Sequence, residues 1–180
     1  MPRGDGRVVR GLRRSGLLAG AALVLAVASA SPAPGASAVI GSLDSDGVSV
    51  QLRWTPDLRG GGVLEATFAP LQPGFHLYSI ALPPTGVSGV GRPTSLSVGG
   101  ALVAEGPVTA NQPVVQLPVA EVGIVPVYPD GPVTVRLPVR VVGGPEALAW
   151  LGFAACSRST CLPPVERALV RLDLPVRAPG

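Results

Sequence analysis

The sequence is poor in side chains that bind metals or carry out catalysis. Its 180 residues include one histidine, His76, and two cysteines, Cys156 and Cys161. One histidine cannot build a histidine zinc site, and the three residues together are one ligand short of the usual structural site. A Ser-His-Asp triad would need His76, but a single histidine on a predicted strand is far more often structural. We therefore expect neither a metal nor a cofactor.

The sequence also has little positive charge outside its N-terminus. All 14 basic residues are arginine, and 11 residues are acidic. Five of the arginines and one acid, Asp5, lie in residues 1–38, which leaves nine arginines and ten acids for residues 39–180. The net charge of residues 39–180 is thus −1, so their charge gives no reason to expect a nucleic acid or an anionic membrane as a partner.

No apolar run is long enough for a typical membrane span. The uncharged segment from Ser15 to Ala30 is 16 residues long, and a spanning helix needs about 20. The five arginines that surround its start, the apolar core 17–27 and the small-residue sites 28–30 and 36–38 are typical of an export signal. We predict a signal peptide and flexible lead-in over residues 1–38, and one exported periplasmic or extracytoplasmic domain over 39–180 without a transmembrane segment. The alternative is a leader retained as an N-terminal anchor.

No long stretch of the sequence has helical periodicity. Instead, apolar and polar residues alternate with a period of two in several short runs. The clearest are residues 48–54, 133–141 and 167–176, with Val133, Val135, Leu137, Val139 and Val141 predicted to point inward in the second run. Weaker strand candidates are residues 62–68, 74–80, 94–98, 101–104, 113–118 and 147–155. Turn residues separate these segments. Because each alternating strand buries one face, the pattern predicts an all-β domain, a two-sheet antiparallel β-sandwich.

The two cysteines flank the short segment 157–160, between two predicted strands. Residues at this spacing can lie within the roughly 4.4–6.8 Å between Cα atoms that a disulfide requires, so a local Cys156–Cys161 bond is possible. Closing so short a loop would stabilise the fold by only about 2 kcal/mol. Arg158 in the loop could favour a thiolate. Pro163 and Pro164 predict an edge strand or irregular chain after Cys161. These residues leave two readings open, a redox-active pair and a structural hairpin disulfide.

Three segments give the chain a resemblance to a known family. The motif Cys156-x4-Cys161-Leu-Pro-Pro after a hydrophobic strand, the segment 74–79 (GFHLYS) and the segment 127–135 (VYPDGPVTV) occur in this order. Together they resemble the N-terminal periplasmic domain of the thiol:disulfide interchange protein DsbD. The resemblance spans about residues 45–176.

The resemblance implies an immunoglobulin-like sandwich with a redox-active cysteine pair. Cys161 would form the mixed disulfide with a partner, and Cys156 would resolve it. His76 and Tyr78 match positions that line the cysteine site. A cap loop shields the cysteines in that family, and residues 121–125 would be its counterpart here, although they lack the aromatic residue expected in it.

Two hypotheses of different classes follow. In the first, a stand-alone domain passes reducing equivalents from a separate thioredoxin-like protein or membrane electron-conducting protein to disulfide-containing extracytoplasmic proteins. In the second, the chain is a non-enzymatic binding or assembly module with a structural disulfide.

Overall fold

The computed structural model describes residues 35–175. Most of the predicted signal segment, residues 1–34, and Val176 of the predicted last strand lie outside them. The strands are β1 (Ala38–Ser45), β2 (Val48–Pro56), β3 (Gly61–Pro70), β4 (His76–Leu77), β5 (Ser95–Gly100), β6 (Leu102–Ala104), β7 (Thr109–Ala110), β8 (Val115–Val119), β9 (Gly123–Val127), β10 (Val133–Val141), β11 (Ala147–Phe153), β12 (Ala155–Cys156) and β13 (Val165–Leu172). No helix occurs among the described residues.

The strands form two main sheets in which every pairing is antiparallel. The larger sheet has the order β1-β2-β3-β10-β6, with β7 also paired to β10, and the smaller has the order β13-β11-β5. Two further ladders are separate from these sheets, β4 with β12 and β8 with β9. These small ladders carry the cysteine site.

The core lies between the two main sheets. Alternate residues of β2, β3 and β10 meet those of β11, β5 and β13 in one apolar cluster. The fully buried rings of Phe68 on β3 and Phe153 on β11 make an edge contact across it, with centroids 5.7 Å apart. The predicted fold class, an all-β immunoglobulin-like two-sheet sandwich, is confirmed.

The alternating segments fold as predicted, with local differences. On β10, Val133, Val135, Leu137 and Val139 are buried, but Val141 is 41% exposed. The prediction was wrong there because the ladder with β3 ends at the preceding residue, Arg140.

One missed strand, β1, precedes a turn that could have revealed it. Asp46 and Gly47 both have positive φ, and they join Ser45 to its partner Val48. Asp-Gly is a typical two-residue hairpin turn because both central residues must adopt positive φ. The strands β7 and β9 were also missed.

The predicted strand 147–155 is two strands. The ladder of β11 with β13 shifts register between Leu151 and Phe153, and the chain then leaves this sheet to pair with β4 as β12. Pro163 and Pro164 lie in the irregular segment before β13, which is an edge strand. The break in the strand brings Cys156 to β4.

Candidate functional site

Cys156 and Cys161 are joined by a disulfide across a tight hairpin. They form an antiparallel bridge with their Cα atoms 4.0 Å apart, slightly closer than the spacing expected from sequence. Cys156 and Cys161 lie directly opposite each other, and no backbone hydrogen bond joins one to the other. Such non-hydrogen-bonded pairs have the shorter Cα–Cα distance of the two pair types in an antiparallel ladder.

The hairpin is also closed by hydrogen bonds that do not depend on the disulfide. The Ser157 N–H donates to the Thr160 carbonyl (2.8 Å), and the Leu162 N–H donates to the Ala155 carbonyl (2.9 Å). The Ser157 hydroxyl accepts a hydrogen bond from the Thr160 N–H (3.2 Å). Cleavage of the S–S bond therefore leaves the backbone of the hairpin paired.

The two sulfur-bearing residues differ sharply in exposure. Cys156 is 4% exposed, whereas Cys161 is exposed at the outer strand of the hairpin. An incoming thiolate must approach a disulfide sulfur directly, so Cys161 is the accessible point of attack.

Strand β4 places two ring side chains beside Cys156. His76 is the ladder partner of Cys156, and the Tyr78 hydroxyl donates a hydrogen bond to Cys156 Sγ at 3.1 Å. The two rings meet edge to face with centroids 5.9 Å apart. Between them in sequence, Leu77 packs in the main core. The alternation of the strand thus anchors β4 through one face and presents the two rings on the other.

Tyr78 is held in place by several elements. Its carbonyl accepts hydrogen bonds from the Thr94 hydroxyl (2.7 Å) and the Thr94 N–H (3.2 Å). It also forms a bridge with Val127 of β9. Burial raises the pKa of the Tyr78 hydroxyl above its usual value of 10.0, so this group remains a hydrogen-bond donor at neutral pH.

His76 is buried, and its two nitrogens have different surroundings. Nδ1 lies 3.8 Å from Oδ1 of Asp130, whose side chain is 62% exposed. Nε2 is buried without a hydrogen-bond partner among the described residues. Burial lowers the pKa of His76 below its usual 6.5, and the nearby Asp130 carboxylate opposes this shift.

A second apolar cluster surrounds Cys156 and is separate from the main core. Its buried members are Tyr78, Leu82, Val125, Val127, Ala154 and Cys156, and Val87, Leu117, Val119 and Val122 pack against it. Most of the aliphatic residues come from the β8–β9 hairpin. The segment 121–125, predicted to be the cap loop, forms the turn and first part of β9 in this hairpin, and Val122 and Val125 supply aliphatic side chains where the family resemblance led us to expect an aromatic ring.

A cleft of about 290 Å³ opens beside the disulfide. It is lined by Gly89, Val90, Gly91, Arg92, Ala154, Cys156, Cys161, Leu162 and Pro164. The positively charged residue that lines this cleft is Arg92. Arg158, which the sequence suggested as the cation at the cysteines, is exposed in the hairpin loop and does not line the cleft. Sequence reasoning missed Arg92 because it is 64 positions away from Cys156, with no motif that links the two.

Arg92 fixes the glycine-rich wall of the cleft. Its Nη1 donates to the carbonyls of Thr85 (3.3 Å), Gly89 (3.4 Å) and Gly91 (2.7 Å). Its Nε lies 3.3 Å from a Glu166 carboxylate oxygen. The wall is therefore preformed beside the disulfide.

Two glycines in this wall offer a matched test of how closely it packs on Tyr78. Both have positive φ, +82° at Gly89 and +81° at Gly91. A Cβ on Gly91 would lie 2.5 Å from the Tyr78 ring, whereas one on Gly89 would meet nothing within 4 Å.

We expect Gly91→Ala to destabilise the domain by about 1–3 kcal/mol more than Gly89→Ala. Both variants carry the cost of a left-handed alanine, but only Gly91→Ala must displace the ring, which is an overpacking cost. Denaturant unfolding of both variants measures the difference. Equal losses would show that the loop does not pack against Tyr78.

The chain matches no protein-family model and no curated protein. Among residues 35–175, no three His, Cys, Asp or Glu side chains are grouped so that they could hold a metal ion. Nor does this part of the chain contain a helix long and apolar enough to cross a membrane. The disulfide hairpin with its two neighbouring rings is therefore the arrangement from which we infer function.

Proposed function

We propose that the chain is an exported thiol–disulfide exchange domain, similar to the N-terminal domain of DsbD, and that the Cys156–Cys161 disulfide is its redox centre. The observation that carries this proposal is the unequal exposure of the two cysteines. Cys161 is an exposed residue, and Cys156 is a buried one whose sulfur accepts a hydrogen bond from the Tyr78 hydroxyl. A bond that serves only to hold the chain together needs no such difference.

The exchange begins on the exposed side of the bond. A thiolate of a reduced partner attacks Cys161 Sγ, a bond forms between partner and Cys161, and the Cys156–Cys161 bond breaks. Cys156 leaves with the electron pair and takes up a proton. A second partner thiolate then attacks the first partner sulfur and releases Cys161, so two electrons and two protons pass from the partner dithiol to the domain.

The reverse sequence delivers the electrons to a target disulfide. The Cys161 thiolate attacks the target and forms a mixed disulfide, and one target sulfur leaves as a thiolate. Cys156 loses its proton, attacks Cys161 Sγ and displaces the second target sulfur. The domain disulfide is restored, and the target is reduced.

The surroundings of Cys156 support its role as the leaving group. A hydrogen bond to a thiolate is charge-assisted and stronger than one to a neutral sulfur, so the Tyr78 hydroxyl stabilises Cys156 more once the disulfide is broken. The Arg92 guanidinium, whose Nε is paired with the exposed Glu166 carboxylate, lies in the wall of the same cleft as the two cysteines, and positive charge in such a site favours a thiolate.

The cost of breaking the bond is small, which suits repeated exchange. The loop between the cysteines is short, and its closure stabilises the fold by only about 2 kcal/mol. The backbone hydrogen bonds from Ser157 and Leu162 keep the hairpin closed after reduction.

The proposed partners follow from the resemblance of three segments to the DsbD domain. A thioredoxin-like protein or a membrane electron-conducting protein supplies the electrons, and extracytoplasmic proteins with disulfides receive them. The cleft of about 290 Å³ beside the sulfurs offers space for the partner segment that carries the attacking cysteine.

Equilibration of the full chain with oxidised and reduced thioredoxin tests the proposal. We expect exchange between the two proteins and a reduction potential above about −300 mV, because inert structural disulfides lie below this value. A potential far below −300 mV, with a chain that thioredoxin leaves oxidised, would instead support the structural module.

A further inference from the structure

The proposed exchange leaves one proton unassigned. Cys156 must lose its proton before it resolves a mixed disulfide, yet it is only 4% exposed. Solvent therefore reaches it poorly, and a proton acceptor inside the protein would be needed for fast resolution.

His76 is the basic side chain on the strand that pairs with Cys156. It faces Cys156 directly across the β4–β12 ladder, and side chains that face each other in an antiparallel pair have Cβ atoms about 4.5–5.5 Å apart. The Tyr78 hydroxyl reaches Cys156 Sγ from the same face of β4, and the His76 ring is in edge contact with Tyr78. The thiol, the hydroxyl and the imidazole therefore form one cluster.

The protonation state of the imidazole is set by its surroundings. Nδ1 faces the Asp130 carboxylate at 3.8 Å, which favours the tautomer with its proton on Nδ1. Nε2 then carries the free lone pair, and this is the buried nitrogen without a partner among the described residues. A buried acceptor without a partner costs stability, so its presence calls for an explanation such as a catalytic role.

We propose that His76 Nε2 takes the proton from the Cys156 thiol during resolution and returns it when Cys156 is the leaving group, with Asp130 as a positioning residue. This inference rests on the proposed function and deepens it. In resolution, the thiol proton moves to Nε2, the Cys156 sulfur bonds to Cys161 Sγ, and the partner sulfur leaves Cys161 with the electron pair. The imidazolium that forms is stabilised by the Asp130 carboxylate.

The charged and titratable groups around His76 define its pH response. Asp130, in the turn after β9, opposes the effect of burial. The neighbouring titratable groups are Tyr78, directly after β4, and Cys156 on β12. Tyr128, from the same turn as Asp130, accepts a hydrogen bond from the Ile80 N–H through its hydroxyl. Because burial outweighs the carboxylate, the pKa of His76 lies below 6.5 and the imidazole is neutral, able to accept a proton, at pH 7.

The test separates the two thiols in one reaction. The reduced full chain is mixed with the disulfide reagent dithiobis(nitrobenzoate). Each cleavage by a thiolate releases a coloured nitrothiobenzoate ion. Cys161 attacks first and releases one coloured thiolate, and Cys156 then resolves the mixed disulfide and releases the second. The first phase reports Cys161 alone, and the second reports the proton transfer from Cys156.

We expect the second phase of the wild type to depend on an ionisation below pH 6.5 and to become faster as His76 loses its proton. In His76→Asn this ionisation disappears and the second phase slows about tenfold to a hundredfold, while the first phase changes less than about twofold. Asp130→Asn is the second variant, and its exposed position makes a folding defect unexpected. Removal of this carboxylate lowers the pKa of His76 further, so the ionisation shifts to lower pH.

The inference is overturned if His76→Asn resolves at the wild-type rate, or if Asp130→Asn leaves the ionisation where it was. A reagent disulfide replaces the protein partner, so the outcome does not depend on whether thioredoxin reduces the chain. Failure of the proposed function and failure of this inference are therefore distinguishable.

Discussion

Replacing Cys156 by serine is expected to convert the chain into a protein that captures its redox partner through a mixed disulfide at Cys161. Cys161 is exposed, so it still reacts with a partner disulfide. Without the Cys156 thiol nothing within the domain can attack Cys161 Sγ and release the partner. The variant is activated at Cys161 with dithiobis(nitrobenzoate) and mixed with a thioredoxin-like protein whose second cysteine is replaced by serine, because a partner with both cysteines would release Cys161 itself. The complex should accumulate on non-reducing gels and disappear on treatment with dithiothreitol.

The matched control is Cys161→Ser. Both variants lose the same disulfide and hence the same stabilisation of about 2 kcal/mol, so a difference between them reflects position alone. In Cys161→Ser the remaining thiol is buried and accepts the Tyr78 hydrogen bond, and we expect almost no captured partner. Equal capture by the two variants would contradict the assignment of Cys161 as the attacking residue.

The largest expected loss of stability comes from Phe68→Ala. The Phe68 ring is fully buried between the two main sheets and contacts Phe153 edge to face. Truncation removes this contact and leaves a cavity, which costs about 3–5 kcal/mol for a buried phenylalanine. Domains of this size are stable by only about 5–15 kcal/mol. The midpoint of denaturant unfolding should therefore fall sharply.

Leu58→Ala provides the control for the same measurement. Leu58 is 93% exposed, and surface substitutions of this kind change stability by less than about 0.5 kcal/mol. If the two variants unfolded at the same denaturant concentration, the sheets would not be packed through the Phe68 ring.

The strands with regular alternation could be predicted from the sequence because burial of one face imposes a period of two. Residues 48–54 and 133–139 show this, since their apolar positions are the buried ones. Strands β4 and β12 are two residues long, and no periodicity exists over two residues. Their existence depends on which segments the rest of the fold brings together.

The candidate site was predictable only in part, for the same reason. The cysteine pair stands out because it is local and the chain has no other cysteine. His76 and Tyr78 entered through the resemblance of their segment to the DsbD domain. Nothing in the sequence connects Arg92 or Gly91 to the cysteines, and both meet the site only because a distant turn folds onto it.

Residues near one another in the chain account for the all-β class, the regularly alternating strands and the proximity of the two cysteines, so these features follow from the amino-acid order. The packed fold is needed to bury Cys156, to expose Cys161, and to bring the Tyr78 hydroxyl and the His76 residue to Cys156. These properties arise from the packing of β4, the β8–β9 hairpin and the 85–92 loop around one end of β12. The exposure and proton affinity of a side chain are set by all the segments that surround it, and these are far apart in the sequence.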